Sequence, residues 1–141
     1  MMDPHTPMQG SVFWMAPEVI NVQKNGYNSK VDIWSVGCVT LEMWTGERPW
    51  SGQEAIAVLF QVRVPLGKLS RSVSLILLSQ VSRSNLGLSP QLPEGVTLSP
   101  QADDFRKRCF SANPEERPTA GELRQHPYLV LPPGWEFNGF Q

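Results

Sequence analysis

The stretch Ser29-Lys-Val-Asp-Ile-Trp-Ser-Val-Gly-Cys-Val-Thr-Leu-Glu-Met-Trp-Thr-Gly46 decides the fold of this chain. Its apolar residues fall on every side of a helical projection, and from Val31 to Thr45 only Asp32 and Glu42 are charged. A helix that is apolar nearly all round belongs in the interior of a domain. We therefore expect this helix to be the most buried element of the chain, so that a solvent-facing side would contradict the prediction.

The ends of this helix carry recognisable signals. Asn28 or Ser29 can cap its start, and Gly46 can close its end in the left-handed conformation. Asp32 near the start suits the helix macrodipole, and a charge buried that deeply must be hydrogen-bonded or paired. The stretch itself leaves open whether Asp32 only helps to cap the helix or also has a functional role.

Composition limits the class of protein. The chain has 141 residues and a formal charge of -1, which indicates one modest domain and gives no reason to expect nucleic acid or an anionic membrane as a partner. Cys38 and Cys109 lie in apolar helical contexts and are expected to be buried free thiols in a reducing compartment. Met1 to Gly10 lacks the apolar core of a signal peptide, and no run is long enough to span a bilayer. We expect a soluble, mostly helical, cytoplasmic protein.

Shorter signals flank the central helix. Pro17 with Glu18 beside it favours the first turn of a short helix. An apolar face over Gln53 to Val62 predicts a second long helix. Ser99 and Pro100 form a cap followed by proline at the first position of a further helix, which we expect to run to about Phe110.

The end of the sequence has its own pattern. Thr119 and Glu122 form a capping box that opens a last helix, which should end before Pro127. The segment from Tyr128 to Phe140 is rich in proline, glycine and aromatic residues. It is too apolar for a free tail, so we expect it to pack on the domain.

A foreign composition marks the segment from Val64 to Gln91. No acidic residue occurs between Glu54 and Glu94, serine is abundant, and no periodicity stands out. A loop of this length inside a compact domain is unusual. We expect an irregular insert, similar to translated non-coding sequence, and divide the chain into residues 1–63, 64–92 and 93–141.

Five motifs in a fixed order identify a family. They are Ala16-Pro17-Glu18, Asp32-Ile-Trp-Ser-Val-Gly37, Gly46-Glu-Arg-Pro-Trp50, Asn113-Pro-Glu-Glu-Arg-Pro-Thr119 and His126-Pro127. Together they resemble the C-terminal half of a eukaryotic Ser/Thr protein kinase domain. The fold class that this resemblance implies is mainly α, a partial kinase-like C-lobe without the N-lobe and the catalytic loop.

Two further segments resemble one branch of that family. The lead-in from Gly10 to Met15 is similar to MAP kinase kinase kinases, and Pro132-Pro-Gly-Trp135 is similar to their fungal, cell-wall-integrity branch. The resemblance covers Met8 to Val62 and Pro93 to Phe140, and it leaves the insert out.

The resemblance assigns roles in the substrate-binding region. Gly10 to Glu18 would be the loop that receives the phosphoacceptor segment, with Ser11 contacting the catalytic loop. Thr6 falls where activating phosphorylation is common. Thr6 can equally be an ordinary exposed threonine and Ser11 a turn residue.

Structural roles follow in the same way. Asp32 matches the aspartate that hydrogen-bonds the backbone of the catalytic loop, and Trp34 is assigned to packing. Glu18 and Arg117 match the pair that joins the activation segment to the last helices. His126 most simply anchors the end of the last helix. Neither His5 nor His126 has further ligand residues nearby in the sequence, so we expect no metal site.

The catalytic motifs of the family do not occur in this sequence. Phosphoryl transfer needs a glycine-rich loop, a lysine, a His-Arg-Asp loop with its asparagine and an Asp-Phe-Gly metal ligand. Asp104-Phe-Arg106 only resembles the last of these. We expect no catalytic residue and no cofactor site in this chain, although the resemblance implies ATP and magnesium for the family.

Three hypotheses follow for function. The chain is a part of a Ser/Thr kinase of the MAP kinase kinase kinase class and inactive as it stands, or a non-catalytic binding module, or a mis-spliced relic. By resemblance the protein substrate would be a MAP kinase kinase, and nothing indicates an oligomer.

Overall fold

The computed structural model describes residues 12–20, 26–63 and 89–139 of the chain. All regular elements in these ranges are helical, as predicted. The helices are α1 (Pro17–Ile20), α2 (Lys30–Thr45), α3 (Ala55–Arg63), α4 (Pro100–Cys109) and α5 (Ala120–Leu123), with 3-10 turns at Val12–Trp14, Pro114–Glu116 and Pro127–Leu129. None of the helices in the described ranges is long and apolar enough to cross a membrane.

The helix α2 forms the centre of the described structure. Trp34 and Cys38 are completely buried, and Leu41 is 2% exposed. These side chains pack with Ala16 and Phe110, which come from segments far apart in the sequence. The prediction that the fold is organised around this helix is confirmed.

A glycine allows α2 and α4 to approach closely. A Cβ atom placed on Gly37 would lie 2.7 Å from the Cβ of Cys109 and 3.0 Å from the ring of Phe110. Real Cβ atoms do not come that close, so the absence of a side chain is what permits the contact. On the next side of α2, Ile33 packs with Phe105 of α4 and Leu123 of α5.

The prediction that α2 is enclosed on every side is wrong. Val36, Val39 and Met43 are 42%, 46% and 78% exposed, and Asp32 at the same side is exposed as well. In the described ranges, the elements that pack on α2 contact its other sides. No described element covers Val36, Val39 and Met43, so these side chains stay in contact with water. Asp32 accordingly is not a deep charge that requires a partner.

A second cluster joins α3 to the first turn of the described chain. Val12, Trp50, Val58 and Val62 are all buried in it. The observed helix α3, Ala55–Arg63, starts two residues later and ends one residue later than the predicted helix.

The helix ends largely follow the sequence signals. Gly46 has φ +71° and its N–H bonds to the carbonyl of Glu42. The side chain of Asn28 accepts from the backbone N–H of Lys30 at 3.0 Å. Ser99 caps α4, with Pro100 at its first position, as predicted.

The capping box at α5 is present in full. The Thr119 side chain accepts from the N–H of Glu122, and the Glu122 carboxylate accepts from the N–H of Thr119. This reciprocal pair satisfies two donors that a helix start would otherwise leave without partners.

The prediction for the last segment holds only at its start. Tyr128 is half-buried and accepts a 2.7 Å hydrogen bond from the indole nitrogen of Trp44, whereas residues 129–139 are exposed. The expectation that the whole segment packs on the domain is therefore wrong, because no described residue beyond Tyr128 reaches a core cluster. Phe140 lies outside the described residues.

The predicted insert lies mostly outside the described residues, which resume at residue 89. At its far boundary Pro90 is fully buried, and Leu92 packs against the cluster around Trp34. The three-part division of the chain stays a prediction.

Candidate functional site

Glu18 and Arg117 meet although 99 residues separate them in the sequence. The two guanidinium nitrogens Nη1 and Nη2 of Arg117 donate to the two carboxylate oxygens of Glu18 at 2.6 and 2.9 Å. The Arg117 side chain is 0% exposed and that of Glu18 12%. The predicted contact is confirmed, and its two parallel bonds are the geometry that only arginine provides.

Two further hydrogen bonds hold the guanidinium of Arg117. Its Nε donates to the carbonyl of Ser111 at 2.8 Å and its Nη1 to the carbonyl of Lys30 at 3.1 Å. The guanidinium carbon lies 5.1 Å from the centroid of a Trp34 ring. Lys30 in turn donates through Nζ to the carbonyl of Arg117. One buried cation thus ties α1 to the start of α2 and to the Pro114–Glu116 turn.

Trp14 is held on α2 at two points. The carbonyl of Trp14 accepts from the hydroxyl of Ser35 at 3.1 Å, and its indole nitrogen donates to the carboxylate of Glu42 at 3.2 Å. Two residues later Ala16 is 1% exposed in the core cluster. The segment from Trp14 to Glu18 is therefore fixed along α2 by polar and apolar contacts together.

Sequence reasoning missed this use of Ser35 and Glu42. A carboxylate within an apolar helix was the available signal, because such a charge is retained only where a partner satisfies it. The identity of the partner, an indole 28 residues earlier, could not be read from spacing.

Arg48 is a second site residue that the sequence did not single out. Its guanidinium donates to the carbonyls of Pro49, Trp50 and Gln53 at distances of 3.3, 3.2 and 2.9 Å. It also lies 3.8 Å from the centroid of the Phe13 ring. Arg48 thereby holds the turn after α2 in place, including Trp50 with its left-handed φ of +60°.

Of the other residues that the sequence singled out, three lie outside the described ranges and one lies within them. Thr6, Ser11 and His5 lie outside the described residues. Asp32 is on the exposed side of α2, and within the described ranges its carboxylate makes no bond to another side chain.

The two cysteines are free and buried, as predicted. Loss of hydration raises the pKa of the Cys109 thiol to about 12. Burial also raises the pKa of Cys38, with a further contribution from Cys109. Both thiols belong to core clusters, Cys38 with Trp34 and Cys109 with Phe105, so both cysteines contribute to packing.

The acidic residues of α4 are engaged in local pairs. Asp103 contacts Arg106 and Lys107, and hydrogen bonds from Lys107 and then Arg106 lower its pKa. Asp104 accepts from His126 at 2.9 Å, and this bond is the main reason that the pKa of Asp104 is lowered.

The other ring nitrogen of His126, Nδ1, accepts from the backbone N–H of Tyr128 at 3.1 Å. Both nitrogens of this buried imidazole are therefore occupied, and His126 anchors the Pro127–Leu129 turn to α4.

No group of three histidine, cysteine, aspartate or glutamate side chains in the described ranges lies close enough to hold a metal ion. Glu18, Asp103 and Asp104 are already bound to cations of this chain. The arrangement holds the segment from Trp14 to Glu18 against α2 and Arg117.

The described helices and the contact of Glu18 with Arg117 are consistent with one part of a protein kinase domain. The family model described as protein kinase domain matches residues 2–129, and the chain belongs to that family.

Its relatives include fungal MAP kinase kinase kinases. The chain is 44% identical over 139 residues to the mitogen-activated protein kinase kinase kinase mkh1 of Cytospora mali, a match that covers 96% of this chain and 6% of that protein. It is 42% identical over 133 residues to the serine/threonine-protein kinase BCK1/SLK1/SSP31 of Saccharomyces cerevisiae, covering 93% of this chain and 8% of that protein. The chain therefore spans less than a tenth of the length of these relatives, as a short part of a kinase domain.

Proposed function

We propose that these residues form the substrate-positioning part of the catalytic lobe of a Ser/Thr kinase of the MAP kinase kinase kinase class, and that the 141-residue chain transfers no phosphate by itself. The observation that carries the proposal is the two-bond contact between Glu18 and the completely buried Arg117. It fixes the end of the Trp14 to Glu18 segment against the last helices.

The segment before Glu18 supports the same role. Trp14 is bonded to α2 through both its carbonyl and its indole nitrogen, so the backbone here has a defined register before any substrate arrives. Holding a reacting group in place contributes strongly to catalysis only when the other reactant is held as well. The nucleotide-binding and metal-binding motifs that would do this are not in the sequence.

The proposal also assigns roles to individual residues and names the substrate, the nucleotide and the cellular location. Ser11 would contact the catalytic loop beside the acceptor, Thr6 would accept an activating phosphate, and Asp32 would bond the catalytic-loop backbone. The protein substrate would be a MAP kinase kinase, the nucleotide would be ATP with magnesium, and the site of action would be the cytoplasm.

A chimera tests this function. The kinase-domain residues of the Saccharomyces cerevisiae relative that precede its segment equivalent to Gly10 would be joined to residues 10–141 of this chain. The expected result is incorporation of labelled phosphate into a MAP kinase kinase by the chimera, and none by the 141-residue chain. The matched control is the chimera carrying Arg117→Ala, which should be inactive.

Two results would contradict the proposal. One is a folded chimera, judged by a cooperative melting transition, that shows no transfer. The other is turnover by the 141-residue chain that disappears when one of its own residues is mutated.

A non-catalytic binding module is the second candidate. The exposed side of α2, with Met43 78% exposed, favours it, because a contiguous apolar surface usually marks an interaction site. A transcript that begins at Met1 and yields a stable protein would support this candidate over a truncated kinase or a relic.

A further inference from the structure

Asn138 and Gly139 form an asparagine–glycine pair, and both residues are exposed to solvent. Gly139 has φ +90°, a backbone conformation that residues with a Cβ rarely adopt. Within the described ranges the side-chain amide of Asn138 has no hydrogen-bond partner, and neither has the backbone N–H of Gly139. The two groups are therefore free to react with each other.

An asparagine side chain can be converted without an enzyme by the backbone nitrogen that follows it. This nitrogen bonds to the carbon of the side-chain amide, and the bond from that carbon to the amide nitrogen breaks. Ammonia leaves with the proton that the backbone nitrogen gives up. Water then adds to one of the two carbonyl carbons of the five-membered ring and opens it, which leaves aspartate or isoaspartate in the chain. Water is the only co-reactant.

Glycine at the second position favours this ring closure. It has no Cβ to obstruct the approach of its nitrogen to the amide carbon, and its backbone adopts a wide range of angles. Neither reacting group of the pair has to give up a hydrogen bond to a described residue before it reacts. Ring closure at Asn138 is therefore easier than at an asparagine whose amide is held.

Asn28 is an asparagine whose amide is held. Its Oδ1 accepts from the backbone N–H of Lys30 at 3.0 Å, and its Nδ2 donates to the carboxylate of Glu115 at 3.4 Å. The next residue, Ser29, carries a side chain and has the backbone angles of a helix. Ring closure at Asn28 would have to break both bonds, so the folded structure protects this residue.

Asn113 is protected in a different way. The next residue is Pro114, whose nitrogen carries no hydrogen to give up. The Asn113 amide is also held, since Oδ1 accepts from the backbone N–H of Glu115 and Nδ2 donates to Glu116, both at 3.2 Å. Of the three asparagines in the described ranges, only Asn138 combines a free amide with a following glycine.

We propose that Asn138 is a site of spontaneous deamidation, at which the protein accumulates aspartate and isoaspartate as it ages. Either product replaces a neutral amide by a carboxylate, which is ionised at neutral pH and lies two residues from Glu136. Isoaspartate also adds one methylene group to the main chain before Gly139. The partner that fits this product is a carboxyl methyltransferase that recognises isoaspartate. The inference does not depend on kinase activity.

The test is incubation of the full 141-residue chain at neutral pH, followed by tryptic digestion and mass spectrometry at successive times. Cleavage after Arg124 releases residues 125–141, in which Asn138 is the only asparagine. We expect this peptide to gain the mass of an amide-to-acid exchange. The same peptide should accept a labelled methyl group from S-adenosylmethionine when a purified isoaspartyl methyltransferase is added.

Variants locate the reacting groups. Gly139→Ala should slow the conversion by about tenfold or more, because its Cβ obstructs the approach of the nitrogen. Asn138→Gln should nearly abolish it, because the longer side chain would have to close a less favourable ring. The matched control is Gly134→Ala, which changes another glycine of positive φ in the same peptide and should leave the rate unchanged.

Unfolding separates the contribution of structure from that of sequence. In concentrated urea the conversion of Asn28 should accelerate, because its amide is released from Lys30 and Glu115. The conversion of Asn138 should change little, because its amide is already free in the folded chain.

Three outcomes would overturn the proposal. One is no mass gain in the 125–141 peptide over a time in which an unstructured reference peptide with an asparagine–glycine pair is converted. Another is an equal rate for Gly139→Ala and the original chain. The third is a marked acceleration of Asn138 conversion in urea, which would show that the folded chain protects this residue.

Discussion

The two sides of α2 differ sharply in how far their side chains are exposed. On one side Trp34 and Cys38 have no exposed surface, and on the other Met43 is 78% exposed. Both sides are apolar in sequence. The comparison teaches that apolar composition states which residues can be buried, whereas the elements packed alongside determine which residues are buried.

The largest effect is expected from a substitution on the buried side of α2. Trp34→Ala should lower the free energy of unfolding by about 3–5 kcal/mol, because it removes a large side chain from a closed cluster. Urea denaturation followed by circular dichroism measures this. A loss below about 1 kcal/mol, the range of a typical surface change, would show that the Trp34 site is not enclosed.

A comparable loss is expected from Arg117→Ala. It leaves the carboxylate of Glu18 without its partner, which costs about 3–5 kcal/mol at a buried pair. Arg117→Lys should recover only part of this, because lysine cannot make two parallel bonds to one carboxylate. Denaturation curves of the two variants test this, and equal stability of the lysine variant and the original chain would contradict the described geometry.

A smaller effect is expected from a substitution at the close contact between α2 and α4. Gly37→Ala places a Cβ at 2.7 Å from that of Cys109, and such overpacking typically costs about 1–3 kcal/mol. Cys109→Gly in the same chain should relieve part of the strain. Unfolding measurements on the two single variants and the double variant give the coupling between the positions, and strict additivity would refute the contact.

Acidification should weaken the surface pairs of α4 and α5. The pKa values of Asp103, Asp104 and Glu122 are lowered by their hydrogen-bond donors. A carboxyl group with a depressed pKa in the folded state stabilises the fold above its unfolded pKa, and this contribution is lost as the pH falls through the folded value. We expect stability to fall with decreasing pH below about 4.

The pH effect can be assigned with one substitution. Asp104→Asn removes the titrating group and should flatten the decline in thermal stability between neutral and acidic pH. An unchanged pH profile would show that Asp104 does not contribute.

The smallest effect is expected on the exposed side of α2. Met43→Gln should change the free energy of unfolding by no more than about 0.5 kcal/mol, since surface changes away from special contacts are nearly neutral. The same denaturation assay applies. A loss as large as that of Trp34→Ala would mean that this side is covered in solution.

Much of the local structure was predictable because its causes are local. The capping box of Thr119 and Glu122, the Ser99 cap and the left-handed Gly46 each depend on residues within a few positions. The resemblance to a kinase also anticipated the contact of Glu18 with Arg117, since it places two distant motifs together. The bonds of Trp14 to Ser35 and Glu42 were not predictable, because nothing in their spacing states that they meet.

The sequence by itself determined the helical class, the family, the helix ends and the absence of the catalytic motifs. Each of these depends on residue type, order or short-range geometry. Only the tertiary structure decided that α2 has an exposed side, that the segment after Tyr128 extends into solvent and that Arg117 is completely buried. These are properties of which surfaces meet, and burial depends on partners that lie far away along the chain.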